Sequence, residues 1–196
     1  NWALQRSIVL IKNQNYTFNA NGFSDRLAVG FTDYMKTKKF DFTASTQIKK
    51  DTIIILESNV NVEDLSLNVK GTILMGNILN IEIDAFNQEI KRIITQLPEN
   101  IQKVCSPFIF DGYITFNSYL EGLISKEINP LFKMNYEISN AEFKLKSIPF
   151  DLHNIQVNGD LSNGENRDFS STKITANLFK AKTQNGYIDG EFTVLN

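Results

Sequence analysis

Apolar and polar residues alternate along most of the chain, which is the pattern of half-buried β-strands. The alternation is clear at residues 16–20, 40–44 and 65–69. It resumes at residues 79–83 after Gly76-Asn77, so segments 65–69 and 79–83 are predicted to form a hairpin. About a dozen such strands with short connections predict a mainly β protein. We expect a long, curled, antiparallel meander sheet that forms a groove or a half-open sandwich.

The second half of the chain repeats this pattern. Residues 132–138 alternate, Ser139-Asn140 is predicted to be a turn, and residues 143–145 are predicted to return as the next strand. Further on, Ile174, Ala176 and Leu178 are predicted to share one face of a strand, because side chains of a strand alternate with period two.

Residues 87–97 have a helical period instead of an alternating one. Their apolar positions are spaced i, i+3, i+4 and i+7, at Ile90, Ile93, Ile94 and Leu97. Asn87 is the expected N-cap and Pro98 the expected stop, and a second short helical stretch is predicted at 99–104. We predict that the amphipathic helix covers one end of the sheet. The alternative is a helix lying on a membrane, but its polar face carries few cations.

Charge and composition narrow the function classes. The chain has 20 Lys and Arg against 22 Asp and Glu, so no basic footprint indicates nucleic acid as a partner. It has 15 Phe but a single His, His153, and a single Cys, Cys105. Cys105 has no general base nearby in the sequence, and His153 lies between two predicted strands, so nucleophilic catalysis is not indicated. One His and one Cys cannot supply a zinc ligand cluster. A carboxylate-based glycan hydrolase is a third reading, but alternation places Glu82 and Asp84 on the polar face. We therefore predict no enzyme, no cofactor and no metal.

The chain is predicted to form one β-rich module over residues 1–196. The first set of hairpins spans 8–85, the helical cap 87–104 and the second set of hairpins 110–196. The sequence opens without a Met or an apolar leader segment, so it is expected to be a fragment of a longer protein.

Several segments together resemble a known family. They are residues 62–71, the helix with its Leu97-Pro98-Glu99 end, residues 110–116, 138–143 and 148–159, and the closing strand 188–192. Their order resembles the AsmA-like family of bacterial envelope proteins, over about residues 8–196. The many Asn, Ile and Lys residues resemble AT-rich Bacteroidetes members of that family.

The resemblance implies a periplasmic β-sheet protein of a Gram-negative bacterium, held in the inner membrane by an N-terminal anchor outside this chain. It implies a role in outer-membrane homeostasis. For the wider group of groove-shaped bridge proteins it implies movement of phospholipid between the two membranes. The family has no catalytic residues to carry over.

Many strands with one apolar face have more apolar surface than one short helix can cover. The sheet is therefore predicted either to curl or double into a sandwich that fills its own interior, or to remain a groove that holds lipid acyl chains. The groove candidates are Phe18, Leu27, Val29, Phe31, Phe40, Phe42, Leu65, Leu67, Val69, Ile81, Ile83, Phe132, Met134, Tyr136, Phe143, Leu145, Ile155 and Val157. For any single one of these residues, ordinary core packing is the competing interpretation. The alternative function is a scaffold that binds envelope or outer-membrane proteins through exposed sheet edges.

Overall fold

The computed structural model describes residues 2–12, 15–24, 27–29, 32–35, 38–97, 99–125, 127–147 and 150–196. These residues are mainly β, as the alternation predicts. The strands are β1 Trp2–Lys12, β2 Asn15–Ser24, β3 Leu27–Val29, β4 Thr32–Met35, β5 Lys38–Lys49, β6 Thr52–Val62, β7 Leu65–Leu74, β8 Ile78–Glu89, β9 Phe108–Leu123, β10 Leu131–Leu145, β11 Phe150–Ser162, β12 Lys173–Thr183 and β13 Gly186–Leu195. The helices are α1 Ile90–Gln96, α2 Glu99–Cys105 and a short 3₁₀ turn at Phe169–Ser171.

Eleven of the strands form a single sheet in the order β1-β2-β5-β6-β7-β8-β9-β10-β11-β12-β13. Each strand lies beside its neighbour in the chain, except that β3 and β4 form a separate two-stranded sheet between β2 and β5. The predicted antiparallel meander is therefore confirmed. The predicted hairpin is also present, because β7 and β8 pair with Val69 opposite Ile83 and Gly71 opposite Ile81.

The contacts of the chain divide it into two compact units. Unit 1 consists of residues 1–84 and 118–132, and unit 2 consists of residues 85–117 and 133–196. Each unit has its own apolar side chains and is described by itself below.

The strands of unit 2 contain β-bulges, each of which inserts an extra residue into one strand. The register between β10 and β11 shifts on both sides of the pair Ala141 and Ile155. Asn140 and Asn154 lie at these shifts and have left-handed backbone angles, φ 50° and 49°. The predicted turn at Ser139-Asn140 is therefore wrong: β10 continues through it as one strand. Asparagine adopts the left-handed region readily, so the same residue type fits a bulge as well as a turn.

The helical segment follows the prediction except at its start. Helix α1 begins at Ile90, and its N-cap is Glu89, which makes no side-chain capping bond. Asn87 is not the N-cap, because it lies in β8 with φ 50° and its backbone N–H donates to Thr115 Oγ1 at 3.0 Å. Helix α2 confirms the second helical stretch. Pro98, the predicted stop, lies outside the described residues.

The core of unit 2 contains small and branched residues from strands β10, β11 and β12. Its buried members are Ala141, Leu152, Ile155, Val157, Ala176 and Ala181. Ile90 of α1 packs against this cluster, so the amphipathic helix contacts the core of unit 2 through this residue. The ring of Phe143 adds a contact with Phe108, with ring centroids 5.3 Å apart.

One close contact in unit 2 depends on a glycine. Tyr136 lies directly opposite Gly159, and its hydroxyl donates to the carbonyl oxygen of Thr175 at 3.1 Å. A Cβ atom on Gly159 would overlap that carbonyl oxygen and lie 2.9 Å from Tyr136 Oη. Burial, and secondarily the charge of Asp160, raises the pKa of Tyr136 above its usual value. The hydroxyl therefore stays a donor into the alkaline range.

Candidate functional site

Unit 1 has one face that is apolar across four adjacent strands. Residues directly opposite each other on neighbouring strands have side chains on the same face of the sheet. Phe40 is opposite Val62, which is opposite Leu65; Phe42 is opposite Val60, which is opposite Leu67. The apolar face of unit 1 consists of Phe40, Phe42, Val60, Val62, Leu65, Leu67, Val69, Ile81 and Ile83.

Most of this apolar face is not fully buried. Phe40, Val62 and Ile81 are buried, whereas Phe42, Leu67 and the other members remain partly accessible to solvent. Both described helices belong to unit 2, so no described helix of unit 1 covers the face. Phe40 and Phe42 stack on each other with ring centroids 6.2 Å apart. The face is therefore a set of aromatic and branched side chains that lie next to one another on the sheet and remain partly accessible to solvent.

The opposite face of unit 1 is polar and internally paired. Asn61 Nδ2 donates to Asp41 Oδ2 at 2.7 Å, and Lys70 Nζ lies 3.1 Å from Glu82 Oε1. The hydrogen bond to Glu82 raises the pKa of Lys70. Glu82 and Asp84 belong to this polar face by register, since they are opposite Lys70 and Asn68. They do not face an apolar cleft.

The hairpin end of unit 1 carries further exposed apolar side chains, on both faces of the sheet, which the alternation did not predict. The turn after β5 and the turn after β7 are joined by a 2.7 Å bond from the Met75 N–H to the Asp51 carbonyl oxygen. Around them lie exposed apolar side chains: Ile48, Ile53, Leu74, Met75, Ile78, Leu123 and Ile128. Met75 is 77% exposed. The run Ile73-Leu74-Met75, which does not alternate, was the available signal.

In unit 2 four of the groove candidates belong to the buried core or pack against it. Ile155 and Val157 are buried, and Tyr136 and Phe143 pack against them. Met134 and Leu145 are half-buried at the two ends of β10. In this unit the competing interpretation, ordinary core packing, accounts for Ile155 and Val157. In α1, Ile93, Ile94 and Leu97 are half-buried beside Ile90.

The remaining candidates have separate outcomes. Phe18 lies opposite Ala44 in the β2 and β5 pair, and Phe132 is half-buried at the start of β10 in unit 1. Leu27 and Val29 do not belong to the main sheet, because they form β3 of the two-stranded sheet. Period-two alternation cannot show which sheet a strand joins, which explains this error. Phe31 lies outside the described residues.

The described residues contain no group of three or more His, Cys, Asp or Glu side chains that could hold a metal ion. None of the helices described here has both the length and the apolar composition to cross a membrane. No protein-family model, curated protein or solved structure matches the chain. The class that the fold defines is a mainly β protein with an antiparallel meander sheet.

Proposed function

We propose that the chain is a non-enzymatic lipid-handling module and that the apolar face of unit 1 binds acyl chains. The observation that carries this proposal is that nine apolar side chains share one face of four strands while only three of them are buried. We further propose that the module belongs to an AsmA-like periplasmic protein that is anchored in the inner membrane. Its role would be phospholipid transport and outer-membrane homeostasis.

The size of the effect is adequate for reversible binding. Each CH₂ group transferred from water to an apolar surface contributes about 0.8 kcal/mol. Six methylene groups lying along Phe42, Leu67 and Val69 would gain about 5 kcal/mol before the loss of chain freedom is subtracted. Binding of this strength is reversible, which suits lipid transfer more than lipid storage.

Site-specific crosslinking tests the proposal. A benzophenone amino acid is placed at Phe42 or Leu67 in the full chain expressed in a Gram-negative host, and the adducts are identified by mass spectrometry after irradiation. The matched control positions are Asn59 and Asn68, which lie on the same sheet but on its polar face. We expect phospholipid adducts at Phe42 and Leu67 and none at the two controls. Equal labelling at all four positions, or none at any, would contradict acyl-chain binding on this face.

A second function is favoured by one specific observation. Strand β13 lies at the end of the sheet, is exposed along its whole length and carries exposed apolar side chains, including Phe192 and Leu195. Such an edge can pair with a strand of another protein, as a scaffold for outer-membrane protein assembly would require. With the crosslinker at Phe192, this function predicts a discrete protein adduct, while the position at Phe42 gives no lipid.

A further inference from the structure

An open hollow of about 410 Å³ lies in unit 2, with five of its lining side chains on the polar face, which is the face opposite its core. Those five are Gln156, Lys180, Lys182, Tyr187 and Asp189, and register places them on that face because their neighbours Val157 and Ala181 belong to the core. The volume is within the usual range for small-molecule sites. This hollow is separate from the apolar face of unit 1 and does not depend on the function proposed above.

Two bulged asparagines also line the hollow, and its remaining lining residues are Ala181 and Ile188. Asn140 and Asn154 both line the hollow and both have left-handed backbone angles. Bulges are found more often than expected beside functional sites, where they redirect a side chain out of the regular alternation. In a regular alternation Asn140 would point away from the core because the next residue, Ala141, is a core residue, and the same holds for Asn154 before Ile155. The two bulged asparagines lie on the adjacent strands β10 and β11, and both line the same hollow.

The polar groups of the lining are mostly hydrogen-bond donors. Lys180 and Lys182 supply ammonium groups, the three amides supply N–H groups, and Tyr187 supplies a hydroxyl. Asp189 is the one carboxylate in the lining, and its Oδ2 lies 3.9 Å from Lys180 Nζ. Among the described residues, Lys182 has no carboxylate within ion-pair distance. A donor-rich hollow with an uncompensated cation favours a ligand with several negatively charged acceptor oxygens.

We propose that this hollow binds a phosphate group, either of a free phosphate ester or of a lipid headgroup. Lys182 supplies the charge, and the amides of Asn140 and Asn154 supply directed donors. Phosphate fits because its oxygens can accept from several donors at once, and charge-assisted bonds of this kind are stronger than neutral ones.

The test is an NMR titration of the full chain with inorganic phosphate and, separately, with sn-glycerol 3-phosphate. We expect saturable amide shifts at residues 140, 154 and 180–189, and about tenfold weaker binding for Lys182→Gln. The matched control is Lys173→Gln, an exposed lysine of the same strand β12 that does not line the hollow. Its affinity should equal that of the unmodified chain.

A second variant separates binding from folding. Asn154→Gly removes an amide donor while keeping a residue that adopts φ near +50° without cost. It should weaken phosphate binding about threefold and leave the thermal midpoint unchanged or higher. Competition by phosphatidylglycerol vesicles, but not by phosphatidylcholine vesicles, would identify a lipid headgroup as the source, whereas no competition would identify a free ester. Absence of saturable shifts, or equal weakening by Lys173→Gln and Lys182→Gln, would overturn the site.

Discussion

Replacing Gly159 with alanine adds a single carbon atom but should strongly lower the free energy of unfolding of unit 2. The added Cβ would overlap the carbonyl oxygen of Thr175, which is backbone and belongs to the paired strand, and would press on the Tyr136 hydroxyl. A flexible side-chain end could move away, but a carbonyl in the ladder between β11 and β12 can move only if the strands separate. Overpacking of this kind costs about 2–3 kcal/mol.

The assay is thermal unfolding followed by circular dichroism, with Gly190→Ala as the matched control. Gly190 also lies in a strand of unit 2, but a Cβ there would meet no atom within 4 Å. For a chain of this size, 2–3 kcal/mol corresponds to a fall in Tm of roughly 4–12 °C for Gly159→Ala. Gly190→Ala should leave Tm unchanged or slightly higher, because alanine loses less backbone freedom than glycine.

A double variant tests the cause of the loss. Tyr136→Phe removes one of the two groups that the new Cβ would meet, and alone it costs about 1 kcal/mol for the lost hydrogen bond. Combined with Gly159→Ala, the total loss should be smaller than the sum of the two single losses, because neighbouring changes share a contact. A Gly159→Ala protein that melts within about 1 °C of Gly190→Ala would refute the reasoning.

Two further predictions concern unit 2. Burial in the folded state raises the pKa of Tyr136, so the folded state binds this proton more tightly than the unfolded chain does. The resulting contribution to the free energy of unfolding is fully present below about pH 10 and is lost as the pH rises further. Urea unfolding at pH 8 and at pH 11 should therefore show a smaller alkaline loss for Tyr136→Phe than for the unmodified chain, and an identical loss would contradict this coupling. Ile90→Ala should lower the free energy of unfolding by about 1–2 kcal/mol because α1 loses its contact with the core, while Val104→Ala in α2, 70% exposed, should change it by less than about 0.5 kcal/mol.

Local periodicity was enough to predict the strands, the β7 and β8 hairpin and the amphipathic helix. It failed where a strand contains an extra residue. The core-facing residues of β10 have even numbers up to Ile138 and odd numbers from Ala141, because the bulge at Asn140 shifts the alternation by one. A prediction that assumes a strict period of two places a turn at such a shift, because asparagine is common both in turns and in bulges.

The same effect explains the error at Leu178. In β12 the register shifts between Ala176 and Phe179, so Phe179, and not Leu178, shares the core-facing side with Ala176. No residue in this stretch is a glycine or a proline that would mark the bulge. The position of the extra residue depends on pairing with β11 and β13, which is a non-local property.

The candidate site was predicted in part for a related reason. Alternation identifies which residues share a face, and the register confirms this for Phe42, Leu67 and Ile83 in unit 1. It does not show whether that face is covered. In unit 2, Ile90 and neighbouring strands cover the equivalent side chains, and this difference arises from contacts between residues far apart in the sequence.

The bulges of unit 2 also determine where the chain can change length. Deleting Asn140 would leave Ile138, Ser139 and Ala141 in regular alternation, so every apolar residue of β10 would keep its side of the sheet. Deleting Glu137 instead would turn Ile138 outward and place Ser139 toward the core. Single-codon deletions should therefore be accepted at the bulged asparagines Asn140 and Asn154 and rejected at Glu137, three residues before Asn140. In a lineage of such sheets, insertions and deletions would accumulate along this row of residues while the hairpin order stayed the same.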